Sequence, residues 1–307
     1  MVAVSILAVL VLLFSGVFSQ VNSAWTTGEG NAERRRSVRA LADFIGTELQ
    51  SALLPVETIS TNKGGNLQFV VNPPTSQVPD EYRNADAVFW QAPLATETSQ
   101  GEIAEIGYFV KWEAAAGQGE RPMLCRFFVN PSVGSGASTV PNPDFLIYDA
   151  DPKRWLSKVT IDKAAPARKP DGYKGMFAEN VLGLWVQCYR LKPALNDTAT
   201  PPALELPRAF DSRIGYDLNS KLTTGTGTKD MRYLPGSVRL SLAQLDSRSA
   251  ARLDPAAGAI KALAKKATDA SDFLTQFGDQ AKSSAPLRAL LPGVRIYSTE
   301  IQILNAR

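Results

Sequence analysis

Residues 1–18, MVAVSILAVLVLLFSGVF, form an apolar run without a single charged side chain. Twelve of the eighteen are Val, Ile, Leu or Phe, and the rest are Met, Ala, Ser or Gly. As a helix rising about 1.5 Å per residue the run would span roughly 27 Å, close to the thickness of a bilayer core. At about −0.3 to −0.6 kcal/mol per large apolar residue, insertion into a membrane is favourable by several kcal/mol. Residues 1–24 are therefore predicted to form a transmembrane helix. Val2, Val4, Ile6, Leu7, Val9, Leu10, Leu13 and Phe14 would supply its anchoring and assembly surface. The competing reading is a secretory signal peptide cleaved after Val17–Phe18–Ser19. Such peptides carry a charged n-region and an apolar region of only about 7–15 residues, so the anchor is preferred.

Past the run, Gln20–Asn31 is mostly polar, and Gly28 and Gly30 weaken any helix there. From Glu33 to Leu54 a helical period is clear. Val38, Leu41, Ala42, Ile45, Leu49, Ala52 and Leu53 recur at spacings of three and four, while Arg36, Arg39, Asp43, Glu48 and Gln50 take the other face. Pro55 ends the pattern. Residues 25–54 are predicted as an amphipathic helix that lays its apolar stripe on a sheet.

The remainder, 55–307, reads as a β-rich head. Asn66–Val71, Ala87–Gln91, Ile103–Trp112, Met123–Asn130, Val181–Arg190, Ser237–Leu245 and Arg295–Leu304 are rich in β-branched and aromatic residues or alternate, and Pro, Gly and Asn clusters separate them. One stretch differs, at about 254–277. Pro255 opens an Ala/Lys-rich run with Ile260, Leu263, Ala264 and Ala267 on one stripe, which predicts a surface helix inserted between the last two strands.

Composition excludes more than it assigns. Hydrophobic content of 44% with 21% charged residues is ordinary for a globular head with a core of its own. A net charge of +3, spread along the chain apart from Arg34–Arg39, is too thin for a nucleic-acid surface, and no nucleic-acid partner is expected. The chain has no histidine. That removes Ser-His-Asp and Cys-His catalysis and zinc sites built on imidazole. Alternation puts Cys125 with Phe127 and Val129, and Cys188 with Leu182, Leu184 and Val186, so both thiols face a core. A disulfide between Cys125 and Cys188 and a pair of buried free thiols fit that pattern equally.

No stretch carries a catalytic signature, and the chain is read as non-enzymatic. Gly64–Gly65 and the run from Thr224 to Lys229 lack the strand-loop-helix setting of a phosphate loop. Asp149, Asp151, Asp211 and Asp217 are hard oxygen donors that could hold calcium, but they have no EF-hand spacing and read more simply as turn-capping residues. No cofactor is predicted. Lys111 and Glu113 read as solvated charges at a strand end. The strand aromatics Trp90, Tyr108, Trp112, Phe127, Phe128, Trp185 and Tyr189 read as core, or as a sugar- or partner-binding patch if several face outward.

The string MVAVSILAVL resembles the interior of the N-terminal segment of type IV pilins and type II secretion pseudopilins. Further along come the helix ERRRSVRALADFIGTELQSAL, the strands EIGYFVKW and LCRFFVNP, then FAENVLGLWVQCY, LPGSVRLSLAQLD and RIYSTEIQI. In that order they resemble minor pseudopilins of the J type. In length and layout the chain is also similar to the pilin-like Verru_Chthon cassette proteins. The resemblance implies an α+β, pilin-like fold. Its long N-terminal helix, membrane anchor plus amphipathic half, would pack on an antiparallel β-sheet. It also implies a minor subunit at or near the tip of a type II secretion or pilus-like filament. That subunit would pass once through the bacterial inner membrane, with a periplasmic head, and would contact membrane lipid and other pilin-like subunits through its N-terminal helix. In the family a basic leader, an N-methylated Phe and an early Glu precede the matching string, and 1–307 do not include them. Arg34, Arg35, Arg36 and Arg39 alone would hold the head on the cytoplasmic side, and a basic leader would reverse that bias. The alternative class is a signal-peptide-led periplasmic or secreted β-rich binding module. A carboxylate hydrolase would need two facing carboxylates in a pocket, one shielded from water.

Overall fold

The computed structural model describes residues 36–53, 69–73, 84–94, 103–115, 119–130, 132–133, 138–141, 174–190, 205–212 and 234–306. Helix α1 covers 36–50. Five strands form a first antiparallel sheet in the order β1-β2-β3-β4-β7: Val70–Val71, Ala87–Ala92, Ala104–Ala115, Gly119–Val129 and Lys174–Glu179. A small ribbon pairs β5 (Ser132–Val133) with β6 (Val140–Pro141). A second sheet has the order β10-β9-β8, formed by Val294–Gln302, Ser237–Leu245 and Val181–Tyr189. Between β9 and β10 the chain makes four helices: α2 (Ser247–Ala250), α3 (Ala257–Lys266), α4 (Ala270–Ala281) and α5 (Ala285–Leu290).

This corrects the predicted fold in three respects. Two antiparallel sheets replace the single one. Strand alternation is a local signal that specifies a buried face but not a partner, so it could not separate the two groups. All described helices are short, and α1 is about 22 Å long at 1.5 Å per residue; the long N-terminal helix has no counterpart among the described residues. No described helix is long and apolar enough to cross a membrane. Residues 1–35, with Val2, Val4, Ile6, Leu7, Val9, Leu10, Leu13 and Phe14, lie outside the described set. Finally, the inserted surface helix is a four-helix excursion that packs into the core. Ala267 is extended and Asp269 caps the next helix by accepting from the Ser271 and Asp272 N–H groups, which breaks the expected run in two. Ile260, Leu263, Phe273, Phe277, Leu287 and Leu290 are all buried.

Helix α1 sits between the two sheets. Toward the first it sets Glu48 against Tyr108, Trp90 and Arg126, while Ile45 and Leu49 are buried in the core shared with Trp90, Tyr108 and Phe128. Toward the second, Gly46 lies so close to Ile301 of β10 that a Cβ would stand 3.3 Å from its side chain. The chain after β10 closes on the helix end, where the Leu304 N–H donates to the Gln50 carbonyl at 3.3 Å and Asn305 Nδ2 to the Ala52 carbonyl at 3.0 Å.

The sheets are sewn together at residues 84–86. The Asp86 N–H donates to the Leu184 carbonyl at 2.8 Å, Asn84 Nδ2 to the Leu182 carbonyl at 3.0 Å, and the Val186 N–H to Asp86 Oδ2 at 2.8 Å. These bonds satisfy the edge of β8 that β9 does not pair. They also hold Ala85 at φ 76°, a left-handed conformation that costs a residue with a Cβ on the order of 1 kcal/mol. Elsewhere positive φ falls on Asn72 and Asn180, residues that tolerate it, and on Gly119.

At Gly119, where β4 begins, the backbone has φ 70° and a Cβ would run into the Asp254 carboxylate. Gly119→Ala is therefore expected to destabilise the head by at least about 2 kcal/mol, from left-handed strain plus the clash. Urea unfolding checks this: the midpoint should fall while the slope stays unchanged.

Candidate functional site

Three places in the head concentrate polar chemistry. The first is the α1 interface. Glu48, read as a residue of the solvent face, is only 7% exposed. Its carboxylate pairs with the Arg126 guanidinium through Oε1 and Nη2, and Oε2 accepts from Arg126 Nε at 3.3 Å and from Tyr108 Oη at 2.6 Å. The Glu48 main-chain carbonyl accepts from Trp90 Nε1 at 3.3 Å. Arg126 comes from the inner face of β4 between Leu124 and Phe128, and its guanidinium lies 4.3 Å over the Phe128 ring. Phe44 and Phe177 close the surround, their ring centroids 5.2 Å apart. Burial first, and then the Glu48 charge, push the Tyr108 hydroxyl well above the ordinary phenol range, so it stays a donor. Both carboxylate oxygens of Glu48 are taken up by Arg126 and Tyr108. The cluster is a fastening rather than an open site.

Asp86 is a second buried carboxylate, 1% exposed, that accepts from Asn72 Nδ2 at 2.7 Å and Arg208 Nε at 2.8 Å in addition to Val186. Burial raises its pKa above the ordinary carboxylate value, with the Arg208 charge and the three hydrogen bonds pulling the other way.

The open site is a cavity of about 310 Å³ on the second sheet. In the register of β8 and β9, Trp185 stands opposite Ser241, Gln187 opposite Arg239 and Tyr189 opposite Ser237, all on the sheet face turned away from α1. Helices α3 and α4 cover only the Trp185 end. There Trp185 Nε1 donates to the Ala264 carbonyl at 3.2 Å and its ring lies 5.4 Å from that of Phe273. Beyond that cover the wall turns polar, with Arg239 from β9, Glu205 from the segment bridged to Tyr189, and Asp269 from the α4 cap. The Arg239 guanidinium lies 5.1 Å over the Tyr189 ring. Tyr189 is 5% exposed, and its Oη is sealed without a hydrogen-bond partner among the described residues. Burial raises the Tyr189 pKa; Arg239 opposes that rise while Glu205, Glu300 and Asp269 add to it.

The residues singled out from sequence fall as follows. Trp90, Tyr108, Trp112, Phe127, Phe128, Trp185 and Tyr189 are all buried, so they build no outward-facing aromatic patch. Lys111 and Glu113 are an ion pair at 3.9 Å with side chains 9% and 18% exposed, not solvated charges. Of the aspartates considered for calcium, Asp211 is described and bridges to Val70, while Asp149, Asp151 and Asp217 lie outside the described residues. No three His, Cys, Asp or Glu side chains among the described residues come together as metal ligands would. Glu205 and Asp269 share the cavity wall, but both are partly exposed and Asp269 Oδ1 is taken up by the helix cap. Neither is the shielded partner that paired-carboxylate hydrolysis requires.

Cys125 and Cys188 are both free and buried, and no disulfide joins them. Cys125 pairs with Phe109 and stands on the face of the first sheet that carries Phe89 and Phe127, away from α1. Cys188 belongs to the core on the other side. Burial pushes the Cys125 thiol up to about 12 and the Cys188 thiol higher still.

Comparison with protein-family models, curated proteins and solved structures finds no match to this chain.

Two predictions follow from this geometry. Arg126→Met alone should cost about 3–5 kcal/mol, because it leaves the Glu48 carboxylate buried and unpaired. Glu48→Leu combined with Arg126→Met should recover most of that loss, and denaturant titration of the single and double variants gives the coupling. Thiol titration of the native protein should detect almost no reactive cysteine at pH 8, and should count both after unfolding, with or without reductant.

Proposed function

We propose that the protein is a non-enzymatic structural subunit of a type II secretion or type IV pilus-like filament. Residues 1–24 pass once through the bacterial inner membrane and are later shared with equivalent helices of neighbouring subunits, and the β-rich head stands outside the cytoplasm. The observation that carries this reading is the join between the two parts. Helix α1 follows the apolar run by fewer than twenty residues and is fastened into the head by a buried ion pair rather than by apolar contact alone. A subunit pulled from a membrane by its N-terminal segment passes that load into the head through this helix. Apolar contact is non-directional and lets a helix slide, whereas a bidentate charge pair resists displacement along the axis. Transfer from lipid to a helical bundle changes the apolar environment little, so close packing provides the specificity. A head of this bulk suits a position at or near the filament tip, where it does not obstruct lateral packing.

The alternative, a signal-peptide-led binding module, draws on the cavity of the second sheet. Mass spectrometry of the mature N-terminus separates the two. A chain beginning at Gln20 favours the module, and a retained apolar run favours the filament subunit.

Cells expressing the chain without residues 1–24 should lose it from the membrane fraction and from its native complex, while its head remains folded by thermal melt. Recovery of the shortened chain in that complex at full strength overturns the proposal.

A further inference from the structure

The polar side chains that line the cavity on the second sheet fall into two groups. Gln187 Nε2 donates to the Cys188 and Leu206 carbonyls at 3.1 and 2.8 Å. The Ser241 and Ser298 hydroxyls share a bond at 2.8 Å, and Thr268 Oγ1 donates to Asp272 at 3.3 Å. These groups are already satisfied inside the fold. Arg239 and Glu205 are not, since no hydrogen bond or ion pair engages either side chain among the described residues. Asp269 belongs to both groups. Its Oδ1 accepts from the Ser271 and Asp272 N–H groups, and Oδ2 has no partner among the described residues. One cation and two anions therefore share a cavity of about 310 Å³ without pairing to one another.

Their separation follows from how each is held. The Arg239 guanidinium stacks 5.1 Å over the Tyr189 ring, which occupies one face of the group and leaves its in-plane N–H edge. That edge is the one that takes a carboxylate in a two-point contact. Glu205 stands on a segment bridged to Tyr189 and tied through the Leu206 carbonyl. Asp269 is fixed by the helix it caps. Glu300, opposite Arg239 on β10, accepts from the Ser237 hydroxyl at 2.7 Å instead of closing on the guanidinium.

A simple anion drawn to Arg239 would enter beside two carboxylates, and a simple cation drawn to the carboxylates would enter beside Arg239. A neutral molecule would displace water from three charges and leave them without counter-charges. A molecule carrying both signs meets all three. No aromatic face is on offer, because Trp185 is 1% exposed against Phe273 and Tyr189 is 5% exposed beneath Arg239. Recognition therefore rests on the charges, and a large apolar side chain gains nothing. The volume, that of roughly ten water molecules, limits the ligand to one or two small residues.

We infer that this cavity binds a small α-amino-acid zwitterion, free or as a dipeptide, with its carboxylate on Arg239 and its ammonium at Glu205 and Asp269. The site belongs to the head alone and is independent of how the chain is anchored.

The full chain, in a non-ionic detergent, is titrated with L-alanine, L-serine, L-glutamine and glycyl-L-alanine by calorimetry and saturation-transfer NMR. At least one should bind saturably at millimolar concentration or below. Its N-acetyl derivative lacks the ammonium and its amide lacks the carboxylate, and each should bind at least about tenfold more weakly. Tighter binding of the dipeptide than of any single residue assigns the site to peptides, and any other order assigns it to free amino acids. Glu205→Gln should weaken binding about tenfold. Arg239→Gln should abolish the preference for the zwitterion over its amide, a change of specificity that a loosened fold does not produce. The derivative comparisons use the parent chain and hold even if that variant fails to fold. The inference is overturned if none of the four binds, or if the amide or the N-acetyl derivative binds as tightly as the zwitterion. It is equally overturned if folded Arg239→Gln keeps the parent's preference.

Discussion

Glu48 is an ionisable group set where the surrounding side chains are Trp, Tyr and Phe, and Arg126 is its counterpart on β4. Each charge alone would face a penalty of several kcal/mol for leaving water, so neither position can be filled without the other. The consequence reaches beyond the pair. Sliding α1 by one turn would carry Glu48 about 5.4 Å along the axis and leave two buried charges apart. The hydrophobic term alone is non-directional and discriminates such a slip less sharply than the charge pair does. The register so fixed places Gly46 against Ile301 and presents the last carbonyls of α1 to Leu304 and Asn305. The C-terminal strand and the helix therefore lock in one arrangement, through a contact made on the opposite side of the helix.

Much of the strand content was legible in the sequence because alternation and β-branching are local. β2, β8, β9 and β10 lie within a residue or two of where the pattern puts them. β7, Lys174–Glu179, was missed; Lys174, Gly175 and Glu179 leave it with only Met176 and Phe177 as large apolar residues, and it pairs at the edge of its sheet. Sorting the strands into two sheets was not legible, since the division depends on the bridge at residues 84–86. The polar contacts there come from Asn84 and Asp86, which lie just before β2 and carry no strand pattern of their own. Glu48 was put on the wrong face for a similar reason. A helical period assigns a charged residue to solvent by default. The signal that could have corrected it lay elsewhere, in Arg126 flanked by Leu124 and Phe128 on one strand face. A cation on an apolar face calls for an anion opposite, and α1 is the element whose boundary position, next to Leu49, could supply one.

The cavity was illegible for a different cause. Trp185, Gln187 and Tyr189 follow strict alternation and so mark a face, but alternation does not reveal how far a neighbouring helix covers that face. Coverage is decided by the break between α3 and α4. Had the Ala/Lys-rich run continued as one helix through Thr268 and Asp269, its next turn would have extended along the sheet toward Arg239. Instead Ala267 turns extended and Asp269 caps a new helix, whose Phe273 and Phe277 pack down beside Trp185. The cap that ends the cover thus contributes its carboxylate to the exposed wall.

That arrangement explains why a tyrosine can be kept at position 189 with its hydroxyl unpartnered. Such a group costs about 1–3 kcal/mol when sealed from water without a hydrogen bond. The fold does not relieve it by moving the strand, because β8 is held on one edge by β9 and on the other by Asp86 and the Glu205 bridge. The ring does useful packing work at the same place, stacking under Arg239 on the face opposite Cys188 and Val238. Ring and hydroxyl are thus under opposite demands, and a strand fixed on both edges keeps the ring in place at the hydroxyl's cost.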